Sequence, residues 1–294
     1  MNEIIVGADG SQHSLLAVVW AAEEAARRGL PLRIVYAIPA WLWRAREHRP
    51  ADRVAERLYD SDRDIIDRAV GRARSTAPGV GVSGELVPGG AAEALLHAAA
   101  QAAMVVVASH GSGEATGLSL GSVALQVAAH ATCPVVVAGL VDPAARPEVV
   151  VGVDGSAGCQ AAIGFAFEEA SWRKARVHAV HTWTHPVSTE PGDMLPLIYD
   201  KESVAADERR LLAESLAGWQ EKYPQVGLIK EVGRSRPVPA LSRASAGAAL
   251  LVVGSRGRGG FTGLLLGSVS HAMLHHAQCP VAITPSKGRT TFEG

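Results

Sequence analysis

The chain has 294 residues, 48% hydrophobic and 19% charged, with 31 glycines, which is room for two domains with their own cores and unlike a disordered or fibrous composition. The net charge is −1: residues 1–146 carry 13 basic against 15 acidic side chains and the remainder 15 against 14, so neither half has the cationic excess that nucleic acid or an anionic membrane selects. Three cysteines, Cys133, Cys159 and Cys279, with no Cys-x-x-Cys pair, argue against a disulfide framework.

From the N-terminus, Met-Asn-Glu-Ile-Ile-Val-Gly runs directly into a strand pattern without the basic start and apolar core of a signal peptide, and no apolar run approaches the roughly 18 residues of a membrane span, so a cytoplasmic protein is expected. Short apolar runs predict strands at Glu3–Ala8, Leu32–Ala37, Val82–Val87, Met104–Ala108 and Val135–Gly139. Segments of helical period lie between them, at Ser14–Arg28, Ala51–Thr76, Ala91–Ala102 and Ser122–His130. Trp41 and Trp43 follow the second strand, and Arg44, Arg46, His48 and Arg49, set among acidic neighbours, read as a solvated loop. Leu140–Pro147, with two prolines, reads as a linker. Beyond it the pattern restarts, with strands at Glu148–Val153, Arg176–His181, Val226–Val232, Leu250–Gly254 and Val281–Thr284.

The restart is a repeat in register. Ile5-Val-Gly-Ala-Asp-Gly-Ser11 matches Val150-Val-Gly-Val-Asp-Gly-Ser156 at an offset of 145, and Cys133-Pro-Val135 matches Cys279-Pro-Val281 at 146. The expected architecture is α/β: two tandem doubly wound five-stranded parallel-sheet domains, over 1–142 and 147–286. The last strands, Val135–Gly139 and Val281–Thr284, would be bare edges in a lone domain.

In such a sheet, ligands bind beyond the carboxyl ends of the strands where connections diverge, here after the first and fourth strands of each copy. After the fourth strand of the second copy stands Gly254-Ser255-Arg256-Gly257, and after nine more residues Gly267-Ser268, where a helix starts. Glycines let backbone amides approach a ligand, the helix start adds unpaired N–H groups, and Arg256 and Arg258 add charge, which together make a phosphate cradle. Taken singly, Ser268 reads equally as a helix cap, the arginines as solvated loop charges, and Asp9 and Asp154 as turn formers.

The whole spacing, Gly-x2-Gly-x9-Gly-Ser, resembles the nucleotide-binding signature of universal stress proteins, as do Val-Gly-x-Asp-Gly-Ser and Cys-Pro-Val, and Gly218-Trp-Gln-Glu-Lys-Tyr-Pro224 resembles tandem actinobacterial members. The resemblance implies the universal stress protein fold, which is adenine nucleotide alpha-hydrolase-like, and bound ATP, with or without Mg²⁺. In the second copy Gly254, Ser255, Arg256, Gly257, Arg258, Gly259, Gly260, Gly267, Ser268, Val269 and Ser270 would hold phosphates and ribose, while Gly152 and Asp154 would face adenosine, at the opposite end of the ligand. In the first copy the set is Gly7, Asp9, Ala108, Ser109, His110, Gly111, Ser112, Gly113, Gly121, Ser122 and Val123. It departs from the pattern: Ala108 replaces the first glycine, no arginine stands in the loop, and Glu114 does. A charge-assisted phosphate contact contributes about 1.5–3 kcal/mol, so the second site is expected to bind roughly tenfold to a hundredfold more tightly. The resemblance also implies pairing of the last strands across a twofold axis, a pseudo-dimer within one chain and a homodimer of chains.

There is no Gly-x4-Gly-Lys-Ser/Thr, no Gly-x-Gly-x-x-Gly after the first strand, and no carboxylate in the second cradle to place Mg²⁺ or water. A regulatory ATP binder is therefore expected, with a slow ATPase or nucleotidyl-transfer enzyme, or an interaction protein with a vestigial first site, as rivals. His271 and His275, four apart with His276 following, lack a third metal ligand and read as surface or contact residues. Cys133 and Cys279 read as small core residues, and Trp41, Trp43 and Trp183 either as covers for adenosine or as packing.

Overall fold

The computed structural model describes residues 3–48, 53–111, 120–139, 144–184, 201–258 and 266–286. Strand β1 (Ile4–Gly7) is apolar because helices cover the sheet on both faces. Helix α1 (Gln12–Arg28) starts where the Ser11 hydroxyl accepts from the Ser14 amide and stops at Gly29, whose φ of 64° suits a residue without Cβ. There follow β2 (Leu32–Ile38), α2 (Ala40–His48), α3 (Arg53–Thr76), β3 (Val82–Pro88), α4 (Ala91–Ala99), β4 (Met104–Ala108), α5 (Ser122–His130) and β5 (Val135–Ala138). The second copy runs β6 (Arg146–Val153), α6 (Cys159–Arg173), β7 (Arg176–Trp183), α7 (Lys201–Ser215), α8 (Trp219–Lys222), β8 (Leu228–Arg234), α9 (Pro237–Ser245), β9 (Ala248–Gly254), α10 (Ser268–His276) and β10 (Val281–Thr284).

The strands form one sheet in the order β3-β2-β1-β4-β5-β10-β9-β6-β7-β8. Each half is parallel, and the halves join through an antiparallel ladder, Val281 opposite Val137 and Ile283 opposite Val135. All four residues of β5 and of β10 are buried, so the expected bare edges cover each other. One core cluster takes side chains from α1, α3, α6 and α7, the other from α4, α5, α9 and α10.

Across this seam α1 meets α6 in a buried ionic cluster that obeys the repeat. Arg28 binds Glu24 at 2.7 Å, Glu168 at 2.9 Å and Glu169, while Arg173 binds Glu24 at 2.6 Å and Glu169 at 2.8 Å. Each guanidinium also lies over a ring of the other copy, Arg28 at 5.6 Å from Phe165 and Arg173 at 5.2 Å from Trp20. Burial pushes the Glu24 carboxyl up, but Arg173, Arg28 and Arg27 outweigh it and hold it below the ordinary range. Burial, then the charge of Glu24, raises Glu169 instead.

Several expectations need correction. The basic run from Arg44 is not a loop: Arg44, Arg46 and His48 lie in α2, which begins after Pro39, accepts the Leu42 amide on the Pro39 carbonyl and is anchored by Leu42 at 2% exposure. Arg49 lies outside the described residues. The first strand of the second copy starts inside the expected linker, at Arg146, which pairs with Ala248 ahead of an irregularity before Val149. The strand expected at Val226–Val232 starts at Leu228, because Val226 closes a turn onto the Tyr223 carbonyl. Helices α2 and α8 were not expected as separate elements.

Candidate functional site

In each copy the connections after the first and fourth strands leave to opposite faces: β1 leads to α1 and β4 to α5, β6 to α6 and β9 to α10. A cleft opens at each switch point.

The second-copy cleft encloses about 450 Å³. Its floor and one wall are apolar (Val153, Val180, Leu241, Val253), and its rim carries Asp154, Arg256, Gly257, Arg258, Gly267 and Ser268. Gly152 keeps the floor open, since a Cβ there would stand 3.2 Å from Leu241. Asp154 holds two backbone segments together: Oδ1 accepts from the Ser156 amide at 2.9 Å, Oδ2 from the Arg258 amide at 3.0 Å. Gly257 makes this possible, because a Cβ on it would lie 2.5 Å from that same Oδ2. Asp154 is thus a turn former that also clamps the loop after β9 against the turn after β6.

The N-cap of α10 is Gly267, not Ser268, and no side chain caps the helix, so the first-turn amides are left for another acceptor. Gly267 itself donates to the Ser255 carbonyl at 2.7 Å, which folds the loop back. Ser270 is buried and gives its hydroxyl hydrogen to the Gly254 carbonyl, buttressing the loop from below. Ser255 is turned away, its Oγ accepting from the Ser286 amide at 3.1 Å. Gly259 and Gly260 lie outside the described residues.

Sequence reasoning missed the pair behind this cleft. Buried His181 places Nδ1 2.7 Å from the carbonyl of Val153, the residue before Asp154, and Nε2 2.6 Å from the Glu208 carboxylate on α7. The first copy has Tyr36 and Asp62 there, the phenol donating to Oδ1 at 3.0 Å. Burial, then Asp62, pushes the Tyr36 hydroxyl up to about 12. Thr182, Pro237, Leu241 and Cys159 also line the cleft and were not expected. Burial, then the Asp154 carboxylate, raises the Cys159 thiol.

The first-copy cleft, about 420 Å³, is lined by Gly7, Asp9, Ala108, His110, Gly111, Gly121, Ser122 and Val123 among the expected residues, and by Ser14, Val35 and Leu95 besides. Asp9 accepts from the Ser11 amide at 3.0 Å, and a Cβ on Gly111 would stand 2.9 Å from its Oδ2. Gly121 is the uncapped start of α5 and donates to the Ser109 carbonyl at 2.8 Å. Ser109 is not among the lining residues; its Oγ is 3.0 Å from Nδ1 of His110. Ser112, Gly113 and Glu114 lie outside the described residues.

Among the described residues Trp41, Trp43 and Trp183 line neither cleft, and Trp41 is 54% exposed. Cys133 is buried and Cys279 half-buried, and burial pushes their thiols up to about 11 and about 12. Among the described residues no group of three or more His, Cys, Asp and Glu could hold a metal ion, and no helix is long and apolar enough to cross a membrane.

Fold and clefts together define a tandem, doubly wound α/β protein with a ligand cleft at the switch point of each copy. The pattern described as "Universal stress protein family" matches residues 1–139 and again 146–285. Universal stress protein Rv2005c of Mycobacterium tuberculosis is 38% identical over 291 residues, covering 95% of this chain and 96% of that protein, and Rv2623 of the same species is 38% identical over 289 residues, covering 95% of each. The chain belongs to the universal stress protein family. In fold it is similar to a universal stress protein from Archaeoglobus fulgidus, with a TM-score of 0.71 at 16% identity over 97% of this chain and 99% of that one.

Proposed function

We propose that the chain is an ATP-binding regulatory protein whose second-copy cleft is the stronger site. The observation that carries this reading is the loop Gly254–Arg258, clamped by Asp154 against the uncapped, glycine-started helix α10. Bare amides, two exposed guanidiniums and the positive end of a helix dipole suit a polyphosphate, and the apolar wall of Val180 and Leu241 suits a purine. Binding without rapid turnover is supported by the carboxylate inventory. Asp154 is the one acid among the described lining residues, and both its oxygens already accept amide hydrogens, leaving it poorly placed to act as a base or to position water. Loop order would then report nucleotide occupancy to whatever the protein contacts, through the different affinity of ATP for ordered and open states.

Titration calorimetry with ATP tests this. The Arg256→Ala, Arg258→Ala double variant is expected to bind about tenfold to a hundredfold more weakly at the second cleft without losing its fold. ATP recovered intact after hours with Mg²⁺ is expected from the wild-type protein. Rapid ADP release, or a second cleft left empty at saturating ATP, overturns the reading.

A further inference from the structure

Aligned by the repeat, the first cleft carries a titratable residue where the second carries one of its permanent charges. His110 stands where the second copy has Arg256, and His13 where it has Gly158. The two rings meet at 5.4 Å between centroids, tilted by 49°. His110 lines the cleft and is half-buried, whereas His13 is exposed on the first turn of α1. A third contributor comes from the other copy, the C-terminal turn of α10, which leads into β10 and so into the β5–β10 ladder. There His271 and His275 meet at 5.0 Å, His276 follows at 6.4 Å from His275, and His275 is near enough to His110 to feel its charge.

We infer that the first cleft is a proton-gated phosphate site: His110, with His13 against it, binds a nucleotide's phosphate when protonated and releases it as the pH rises through the histidine range.

The groups facing His110 support this coupling. From α1 comes His13, from α10 come His275 and its neighbours, and the turn after β1 supplies one carboxylate, Asp9. The first turn of α5 carries no acidic residue, and Glu93 of α4 is not among the residues lining the cleft. Burial, then His271, His276 and His110, holds His275 below the ordinary histidine range. Such mutual repulsion is relieved by a bound anion, so anion and protons favour each other's binding. The sign follows: binding strengthens the hold on protons, so it is fullest below the histidine range and lost above it. An arginine-held site keeps its charge throughout.

This inference rests on reading the clefts as nucleotide sites, and the experiment separates the two claims. ATP binding is measured by calorimetry at about pH 5.5 and about pH 8, on either side of histidine titration, in buffers of differing ionisation enthalpy. In the Arg256→Ala, Arg258→Ala chain the first cleft is the part of the titration that a further His110→Gln removes, and the His110→Gln chain reports the second cleft, which sees the same ionisation of ATP and serves as its control. First-cleft affinity is expected to fall about tenfold or more across that range, with uptake of about one proton near neutrality. Adding His110→Gln should remove the low-pH binding, and adding His110→Arg should leave binding insensitive to pH. Equal first-cleft affinity at both pH values overturns the inference, as does a first cleft that stays empty while the second binds. If wild-type protein binds no ATP in either cleft, the proposed function fails and this inference with it.

Discussion

At the seam the two copies have stayed alike, whereas in the clefts they have diverged. Glu24 and Arg28 keep their repeat counterparts Glu169 and Arg173, and each arginine still covers a ring of the opposite copy. In the clefts His110 replaces Arg256, His13 replaces Gly158, Ala124 replaces Ser270, and the pair Tyr36–Asp62 replaces His181–Glu208. The difference reflects what each place tolerates. A buried charge that loses its partner costs several kcal/mol, so the fully buried carboxylates and the arginines between them persist in both copies. A residue at the rim of an open cleft meets water, and its replacement alters affinity rather than folding.

The largest effect should therefore come from the seam. Arg173→Ala leaves Glu24 and Glu169 facing each other with one fewer cation and should cost about 3–5 kcal/mol in denaturant unfolding, whereas Arg27→Ala, at a partly exposed pair, should cost less than about 1 kcal/mol. Equal costs would break the contrast. Next, His181→Ala strands the Val153 carbonyl and Glu208 and should cost about 2–3 kcal/mol, against about 1 kcal/mol for Tyr36→Phe in the first copy. The same unfolding assay compares them. Gly257→Ala sets a methyl group against the Asp154 carboxylate and should cost about 1–3 kcal/mol of loop order, read as weakened second-cleft binding, and Gly111→Ala, with 2.9 Å instead of 2.5 Å to give back, should cost less.

The smallest effect concerns pH. The Tyr36 hydroxyl is raised to about 12 in the fold, so stability it contributes is complete below the ordinary tyrosine pKa near 10 and lost as pH rises from there through about 12. The group is half-exposed, so screening keeps the loss small. Burial also raises Tyr223, so absorbance titration of the four tyrosines should show a late component that Tyr36→Phe shortens at its highest-pH end.

Much of this architecture was legible in the chain. The strand runs are apolar on both faces because the sheet is covered on both, and Gly257 and Gly267 announce a backbone that must come close to something. Helix α2 was hidden because a basic run around two tryptophans has weak helical period, and only the burial of Leu42 reveals its anchor. The role of Asp154 was half visible. Its place after β6 predicted a turn, but its hold on the Arg258 amide, 104 residues later, depends on how β9 lies beside β6.

Residue type and spacing alone determined the duplication, the fold class and the glycine-lined loops, since those answer to local requirements of backbone conformation and burial that each residue carries with it. The tertiary structure alone decided which distant groups meet: Glu24 with Arg173 across the seam, and Asp154 with the Arg258 amide at the second cleft. Such contacts follow from which strands lie side by side and which helices cover them, a geometry that no local spacing encodes.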